Sequence, residues 1–386
     1  MGNPCARVVY SPVTSVDNFL GQRETFARAI SAISKRGMLK KAIILDDNEI
    51  DKDIPARLCF KVKSRPARIF SILPECYCYP LNRVWLDYVT SFFVRYGCDI
   101  FHVGHGGALL SLRKAKKNKM VTIVERTNPH PEYQLRIMSE EYALLGKSFQ
   151  RPLRYFYNRL LKELELADYL LLSSQFVYDS FVEYGFNPER LMLLPLGVDI
   201  DIFKPDRSRK KGEKFIVLFH CRICFKRGVQ YLLKAWDILK LENAELLLVG
   251  DYSGDEPFFA EYLKNESIKF MGAVNDRDAL IDIYQNSSVF VLPSIVDTDP
   301  LVTHEAMASG LPLVVTHNTG SMVRDNIDGF IVPIRDAEAI AEKILYFYQN
   351  RDVLQRMGDS ACAHISQFTW EKYERGLISL YEQVSR

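Results

Sequence analysis

The chain has 386 residues, 48% of them hydrophobic, and a formal net charge of +2 at pH 7. This length exceeds one ordinary α/β domain and predicts two domains. The near-neutral charge argues against nucleic acid as a partner, and no apolar run is long enough to span a membrane. We find no secretory signal, and the eight cysteines are scattered, which suits a reducing compartment. We therefore expect a cytoplasmic protein.

Short apolar runs alternate with amphipathic stretches in the first half of the chain. The runs are continuously apolar and rich in Val, Ile and Leu, which is typical of strands buried on both faces of a parallel sheet. Apolar residues at helical spacing mark the stretches between them. We predict strands at 7–10, 42–45, 99–103, 120–124, 169–172 and 191–194, and helices at 22–35, 85–96 and 153–166.

The second half repeats the alternation after a polar, basic stretch with Pro and Gly, residues 196–212, which we interpret as an interdomain linker. Alternating strands and helices imply βαβ units and doubly wound sheets. We predict strands at 215–219, 245–249, 268–271, 289–292, 312–315 and 330–332, and helices at 229–239, 276–284, 337–348 and 370–383. Residues 1–196 would form the first domain and 197–368 the second, with helix 369–386 crossing back to the first.

Two basic runs, 113–119 (RKAKKNK) and 207–211 (RSRKK), are explained most simply as solvated faces. They leave room for peripheral attachment to an anionic membrane surface, or for an anionic acceptor. Cys221 and Cys224 form a CxxC pair without a second pair at zinc-site spacing, so we predict no metal site.

The segment 289–315 carries an acidic loop between a strand and a short helix. Asp297 and Asp299 lie in the loop, and Glu305 lies about one turn into the helix. Ligands of parallel α/β sheets bind beyond the carboxyl ends of strands, and a helix start offers free N–H groups to phosphate. Glu305 could accept hydrogen bonds from a ribose diol, or it could only favour the helix start electrostatically.

A basic loop follows the strand at 215–219. Arg222, Lys226 and Arg227 precede Gly228 and an amphipathic helix. Arginine binds phosphate through its planar fork, so this loop could clamp the two phosphates of a nucleotide. The alternative is a solvated basic loop.

Several motifs together resemble one enzyme family. They are EAMASGLPLV (305–314), ELLLVG ending at Gly250, IKFMGAV (268–274), DGFIVP (328–333) and PLGVDIDIF (195–203). The chain resembles the family 4 retaining glycosyltransferases of the GT-B fold, also called glycosyl transferases group 1. The resemblance implies an α/β protein with two Rossmann-like, doubly wound domains that face each other across a cleft.

The resemblance also implies roles for individual residues. Arg222 and Arg227 would stabilise the departing diphosphate, and Asp297 would hold hydroxyls of the donor sugar. The remaining donor-binding positions would be Gly250, Val274 near the base, Leu301, Val302 and Glu305.

The first domain gives weaker signals. Gly21 occupies the place where the family brings backbone close to the pyrophosphate, although a lone glycine can simply serve a turn. His130 lies where the family has an active-site histidine, and Glu125 competes for that alignment. An isolated histidine is more often a structural residue.

The resemblance implies transfer of a hexosyl group, with retention, from a nucleotide-diphosphate sugar to a saccharide, lipid-linked or small-molecule acceptor. Cationic residues would replace a divalent metal, so we expect neither metal nor cofactor. Two alternatives stay open: a degenerate transferase that only binds, suggested by Asp297 in place of Glu and by Pro300, and a sugar-nucleotide epimerase or phosphorylase. No predicted strand ends in GxGxxG, which argues against a nicotinamide dehydrogenase.

Overall fold

The computed structural model describes residues 6–12, 20–45, 55–62, 75–206, 214–252 and 256–385. Within these ranges the chain forms two parallel sheets. The first has the strand order β3-β2-β1-β4-β5-β6-β7. Its strands are β1 (Val8–Ser11), β2 (Leu39–Leu45), β3 (Cys59–Val62), β4 (Ile100–Gly104), β5 (Val121–Arg126), β6 (Tyr169–Leu172) and β7 (Leu191–Leu193).

Helices connect the strands of the first sheet. They are α1 (Leu20–Lys35), α2 (Glu75–Phe93), α3 (Leu109–Lys117), α4 (Pro131–Leu144), α5 (Arg154–Leu166) and α6 (Gln175–Glu183).

The second sheet has the strand order β10-β9-β8-β11-β12-β13. Its strands are β8 (Phe215–His220), β9 (Ala244–Val249), β10 (Ile268–Gly272), β11 (Val289–Leu292), β12 (Leu313–Thr316) and β13 (Gly329–Val332). Its helices are α7 (Val229–Leu239), α8 (Glu256–Phe259), α9 (Arg277–Asn286), α10 (Leu301–Ala308), α11 (Ala337–Gln349), α12 (Arg351–Ile365) and α13 (Trp370–Val384).

The central strands are buried because helices cover both faces of each sheet. Every residue of β1, β4 and β11 is buried, as expected for continuously apolar parallel strands. The order of the strands reverses at one inner pair of each sheet, which is called its switch point. The switch point lies between β1 and β4 in the first sheet and between β8 and β11 in the second. The predicted fold class, two doubly wound Rossmann-like domains, is confirmed.

Helix α13 returns to the first domain. Trp370, Tyr373, Leu377 and Tyr381 are buried in the core cluster that also contains residues of β1 and α1. The Tyr381 hydroxyl lies 2.6 Å from Nδ1 of His102 on β4.

The two interdomain crossings of the chain lie side by side. Val198 bridges to Thr369, and a Cβ added at Gly197 would lie 2.5 Å from the Trp370 backbone nitrogen. This close approach of two backbones explains the glycine in PLGVDIDIF.

Helix α4 of the first domain is held against the second domain by a buried carboxylate. Glu141 accepts hydrogen bonds from Nε2 of Gln230 (2.8 Å), the hydroxyl of Tyr231 (3.3 Å) and Nε of Arg335 (2.8 Å). Arg335 also donates to the Ile137 carbonyl at 3.0 Å. These contacts satisfy a charge that would otherwise be costly to bury.

Candidate active site

The switch points of both sheets mark where ligands bind in folds of this type. In the second sheet, the loops that follow β8 and β11 are the basic and acidic loops singled out in the sequence. In the first sheet, the loop after β4 contains His105, Gly106 and Gly107, and residues 13–19 after β1 lie outside the described residues.

The basic and acidic loops contact each other directly. The carbonyl of Lys226 accepts hydrogen bonds from the backbone N–H groups of Ile295 (3.0 Å) and Val296 (3.4 Å). Arg227 forms an ion pair with Asp297 through Nη1, and both side chains are largely buried. The two loops expected to share a site therefore do lie together, with cations and a carboxylate at the carboxyl ends of adjacent strands.

Lys226 is half-buried in this group. Burial, together with the neighbouring Arg227, lowers the pKa of Lys226 to about 8. The closely spaced positive charges of Lys226 and Arg227 would be stabilised by an anionic ligand.

Gly228 joins the basic loop to α7 in a left-handed conformation. Its φ is +71°, and an added Cβ would lie 1.8 Å from the Pro293 carbonyl oxygen. We expect Gly228→Ala to lower the free energy of unfolding by about 2–4 kcal/mol, combining backbone strain with a clash against the acidic loop.

Urea denaturation would measure this loss. The matched control is Gly185→Ala, because Gly185 has a φ of +82° with nothing within 4 Å of its added Cβ. We expect that variant to lose only about 1–2 kcal/mol, the cost of the backbone conformation. Equal losses in the two variants would contradict the close approach of the loops.

Helix α10 begins between the two domains. Pro300 is its N-cap residue and provides no side-chain cap. The Thr303 N–H donates to the Pro300 carbonyl at 2.8 Å, so the N–H groups of Leu301 and Val302 are the ones placed to bind a ligand. Leu301 packs against the first-domain core cluster, and Val302 packs against the larger cluster that includes the second domain. Both predicted donor-binding residues therefore lie where the domains meet.

Glu305 is half-buried on α10. Its Oε2 accepts a hydrogen bond from the Tyr284 hydroxyl at 2.9 Å, and that hydroxyl also lies 2.8 Å from Nδ1 of His220. Burial raises the pKa of Glu305 to about 7 and lowers that of His220 to about 4. Glu24 on α1 contributes to this raised pKa of Glu305, so the beginning of α1 lies across the cleft from it.

Asp299 serves a different purpose from its neighbour Asp297. Its Oδ1 lies 2.7 Å from Nε2 of His304, and its Oδ2 accepts a hydrogen bond from the backbone N–H of Leu196 at 3.2 Å. The side chains of Asp299 and His304 are both buried. Asp299 thus fixes the interdomain crossing to the start of α10 and adds no carboxylate to the open side of the loop.

The remaining donor-side predictions are Gly250 and Val274. Gly250 has a φ of +135°, and an added Cβ would lie 2.1 Å from the Cys221 carbonyl oxygen. Gly250 therefore lets β9 end close against the loop that holds Arg222, and its contact with a donor stays a prediction. Val274 follows β10 and is half-buried against the core.

The first-domain side of the cleft contains groups that the sequence did not single out. Arg83 donates from Nη1 to the carbonyl of His105 at 2.8 Å. Glu163 accepts hydrogen bonds from the N–H groups of Gly106 (2.8 Å) and Ala108 (3.0 Å). The loop after β4 is thus fixed at both edges and presents His105 at the switch point.

His130 is placed differently from His105. Its Nδ1 accepts the N-cap hydrogen bond from the Glu132 N–H at 3.3 Å, and its ring stacks on Tyr184 at 4.4 Å. Burial lowers its pKa to about 4. These contacts describe a neutral capping residue, and its catalytic role stays a prediction, as does donor contact by Gly21, which lies in the first turn of α1.

Two features of the described ranges bear on other functions. No three His, Cys, Asp or Glu side chains in them converge as metal ligands. None of the helices in the same part of the chain is long and apolar enough to cross a bilayer. Metal independence stays a prediction.

Comparison with solved structures defines the fold. Sucrose-phosphate synthase of Thermosynechococcus elongatus superposes with a TM-score of 0.72 at 17% identity, over 98% of this chain and 99% of that one. HepE of Anabaena, solved with UDP, superposes with a TM-score of 0.68 at 15% identity, over 98% and 99%. At such identities the likeness shows the fold alone: a two-domain GT-B architecture.

Sequence comparison then gives a family to which part of the chain is similar. Residues 214–350 match the family described as Glycosyl transferases group 1. The D-inositol 3-phosphate glycosyltransferase of Paenarthrobacter aurescens is 27% identical over 220 residues, 52% of this chain and 53% of that protein. The MMP alpha-(1->4)-mannosyltransferase of Mycolicibacterium hassiacum is 25% identical over 229 residues, 57% and 55%. Through this segment the chain is similar to the glycosyl transferases group 1 family, the family that its motifs resemble. It spans about half the length of the curated relatives it matches.

Proposed function

We propose that the protein is a retaining glycosyltransferase that moves a hexosyl group from a nucleotide-diphosphate sugar to an acceptor held by the first domain. The observation that carries this proposal is the direct contact between the basic loop and the acidic loop at the β8/β11 switch point. It combines buried cations, free helix N–H groups and a carboxylate, which are the groups that a diphosphate and a sugar require.

The chemistry follows from where charge develops. As the bond between the anomeric carbon and the diphosphate breaks, negative charge grows on the β-phosphate. Lys226, Arg227 and the first N–H groups of α7 and α10 would stabilise it, as preorganised donors do in many enzymes. Asp297 would hold a sugar hydroxyl while its other side holds Arg227. Closure of the domains would exclude water and limit hydrolysis.

His105 is the first-domain histidine nearest to this chemistry by topology, since it follows β4 at the first switch point. Burial lowers its pKa well below the usual value, so its ring is neutral at pH 7 and one nitrogen donates while the other accepts. A neutral imidazole suits contact with hydroxyls of the donor sugar.

Turnover is tested with purified protein and a panel of UDP- and GDP-sugars. The expected result is release of nucleotide diphosphate that accelerates when a saccharide acceptor is added, with the α-configuration of the donor kept in the product. Nucleotide-sugar binding without release would instead support the degenerate binder. A changed sugar still attached to its nucleotide would support the epimerase.

A surface patch on the first domain supports attachment of this enzyme to an anionic membrane, where a lipid-linked acceptor would be found. Trp85, Tyr88 and Phe92 lie on one face of α2 and are 40%, 47% and 50% exposed. The ring centroids of Trp85 and Tyr88 are 5.9 Å apart, and those of Tyr88 and Phe92 are 5.0 Å apart. Interfacial aromatic side chains of this kind favour the level of lipid headgroups.

Basic residues border the aromatic face. Helix α3 packs against α2, and its Arg113 and Lys117 are exposed. Lys114 Nζ lies 5.9 Å from the centroid of the Phe92 ring. Each cation near an anionic surface contributes about 1 kcal/mol of attraction. The basic run at 113–119 therefore forms one edge of an amphipathic surface.

We expect the double variant Trp85→Ser, Phe92→Ser to bind vesicles at least about tenfold more weakly, because two rings lose their burial at the interface. Co-sedimentation with vesicles of phosphatidylcholine, with and without phosphatidylglycerol, measures this. Tyr346→Ser is the control, since Tyr346 is 40% exposed on α11 of the second domain. Equal binding by all three proteins would contradict attachment through this patch.

A further inference from the structure

Arg126, the last residue of β5, is a buried cation without a full set of partners. It is 3% exposed, and its Nη2 donates to the Pro129 carbonyl at 2.9 Å. Its Nε has no hydrogen-bond partner among the residues that the structure describes. Buried N–H groups are nearly always satisfied, and a charged one left without a partner is costly.

The position of Arg126 is in the first-domain wall of the cleft. The backbone carbonyl of the preceding residue, Glu125, accepts a hydrogen bond from the backbone N–H of His105 at 3.1 Å. The loop after β4 therefore lies beside the end of β5. Arg83 is bound to the same loop. Arg126 also acts electrostatically across the cleft, since it contributes, after burial and Arg227, to the lowered pKa of Lys226.

The carboxylates near Arg126 do not neutralise it. Glu163 is engaged by two backbone N–H groups, and burial raises its pKa to about 7. Glu125 accepts from the Tyr10 hydroxyl at 3.2 Å, and burial raises its pKa to about 7 as well. Asp297 is paired with Arg227. Positive charge thus remains on the first-domain side once the donor diphosphate is assigned to Lys226, Arg227 and the helix N-termini.

We infer that Arg126 binds a phosphate group on the acceptor, so that this enzyme glycosylates a phosphorylated molecule. The inference rests on the proposed function. A guanidinium offers a fork of donors that matches phosphate geometry, and the neighbouring Arg83 favours a dianion over a singly charged carboxylate. A bound phosphate would provide the acceptor that Nε lacks and would fix the attacking hydroxyl relative to the donor sugar.

The test separates the acceptor phosphate from the donor diphosphate. Calorimetric titration with inorganic phosphate is carried out on the full chain, free and saturated with UDP or GDP. We expect phosphate to bind the nucleotide-saturated wild type, and to bind Arg126→Gln about tenfold to a hundredfold more weakly. The affinity of Arg126→Gln for the nucleotide itself should stay within about twofold of the wild type.

Two further variants keep the test decisive. Arg126→Lys retains the buried charge and loses the fork, so it should fold and lose about tenfold in phosphate affinity. Arg356→Gln removes an exposed cation of α12 in the second domain and should change neither affinity.

Phosphate affinity that is equal in wild type and Arg126→Gln would overturn the inference, and so would the absence of phosphate binding to the saturated wild type. A loss of nucleotide affinity in Arg126→Gln as large as in Arg227→Gln would also overturn it, because Arg126 would then belong to the donor site. If the wild type binds no nucleotide, the proposed function fails instead, while loss of phosphate binding by free Arg126→Gln would still support the anion site.

Discussion

Replacing Arg227 with glutamine is expected to weaken nucleotide-diphosphate binding by about tenfold to a hundredfold, the usual range for a lost charge-assisted contact to phosphate. The guanidinium has five N–H donors, and the Asp297 contact uses it through Nη1. Donors on its other side remain for the diphosphate. Calorimetric titration with UDP and GDP measures the loss.

The same substitution should also destabilise the fold. Asp297 has a side chain that is 4% exposed, so removal of Arg227 leaves a buried carboxylate without its cation. Such a loss costs about 3–5 kcal/mol. The double variant Arg227→Gln, Asp297→Asn removes both charges and should recover most of the stability while nucleotide binding stays weak. Wild-type nucleotide affinity in the double variant would contradict the role of Arg227.

Replacing Glu305 with glutamine should have opposite effects on binding and on stability. The glutamine side chain can still accept the Tyr284 hydrogen bond, but a ribose loses a charged acceptor. We expect nucleotide affinity to fall about tenfold at pH 8. Titration with UDP and GDP tests this, and Glu266→Gln, which changes an exposed glutamate, is the control.

The stability effect follows from the raised pKa of Glu305. Its pKa is about 7 in the folded protein, above the ordinary value of 4.5, so the folded state holds the proton more tightly. The contribution of Glu305 to stability is therefore full below pH 4.5 and is lost as pH rises through 7.

Glu305→Gln does not titrate and so avoids that loss. We expect its free energy of unfolding to exceed that of the wild type by about 1–3 kcal/mol at pH 8, and by little at pH 5. Urea denaturation at both pH values measures the difference. A variant that is less stable at pH 8 would show that the carboxylate is not strained by its burial.

The strands were the most predictable part of the fold. Buried parallel strands have continuous apolar runs in their sequences. The strands predicted at 169–172 and 289–292 match β6 and β11. The edge strand β3 was missed because it is half-exposed, so its side chains do not form an apolar run. Sequence patterns of this kind detect burial, and an edge strand has less of it.

Two of the helices whose bounds were not predicted share a physical reason. In α3, the basic run at 113–119 conceals a buried stripe that includes Leu112 and Ala115. In α4, the buried positions include Glu141, whose charge is satisfied only by residues of the other domain. No local pattern reveals that a charged residue faces a partner almost 200 positions away.

The candidate site also has one part that the sequence predicted and one part that it did not. The basic and acidic loops could be predicted because strand, loop and helix signals are local, and their motifs resemble a known family. His105 and Arg126 were missed because strand order is not local. Only the placement of β4 beside β1 shows that the loop after β4 lies at a switch point. The glycines that follow His105 were the available signal.

The central claim is that the diphosphate of a nucleotide binds between the loops after β8 and β11, against the first turns of α7 and α10. A crystal structure of the complex with UDP or GDP tests it most directly. We predict phosphate oxygens within hydrogen-bond distance of Arg227 and Lys226, with the ribose hydroxyls on Glu305. A nucleotide bound elsewhere, with the Arg227–Asp297 pair and Glu305 untouched, would contradict the account.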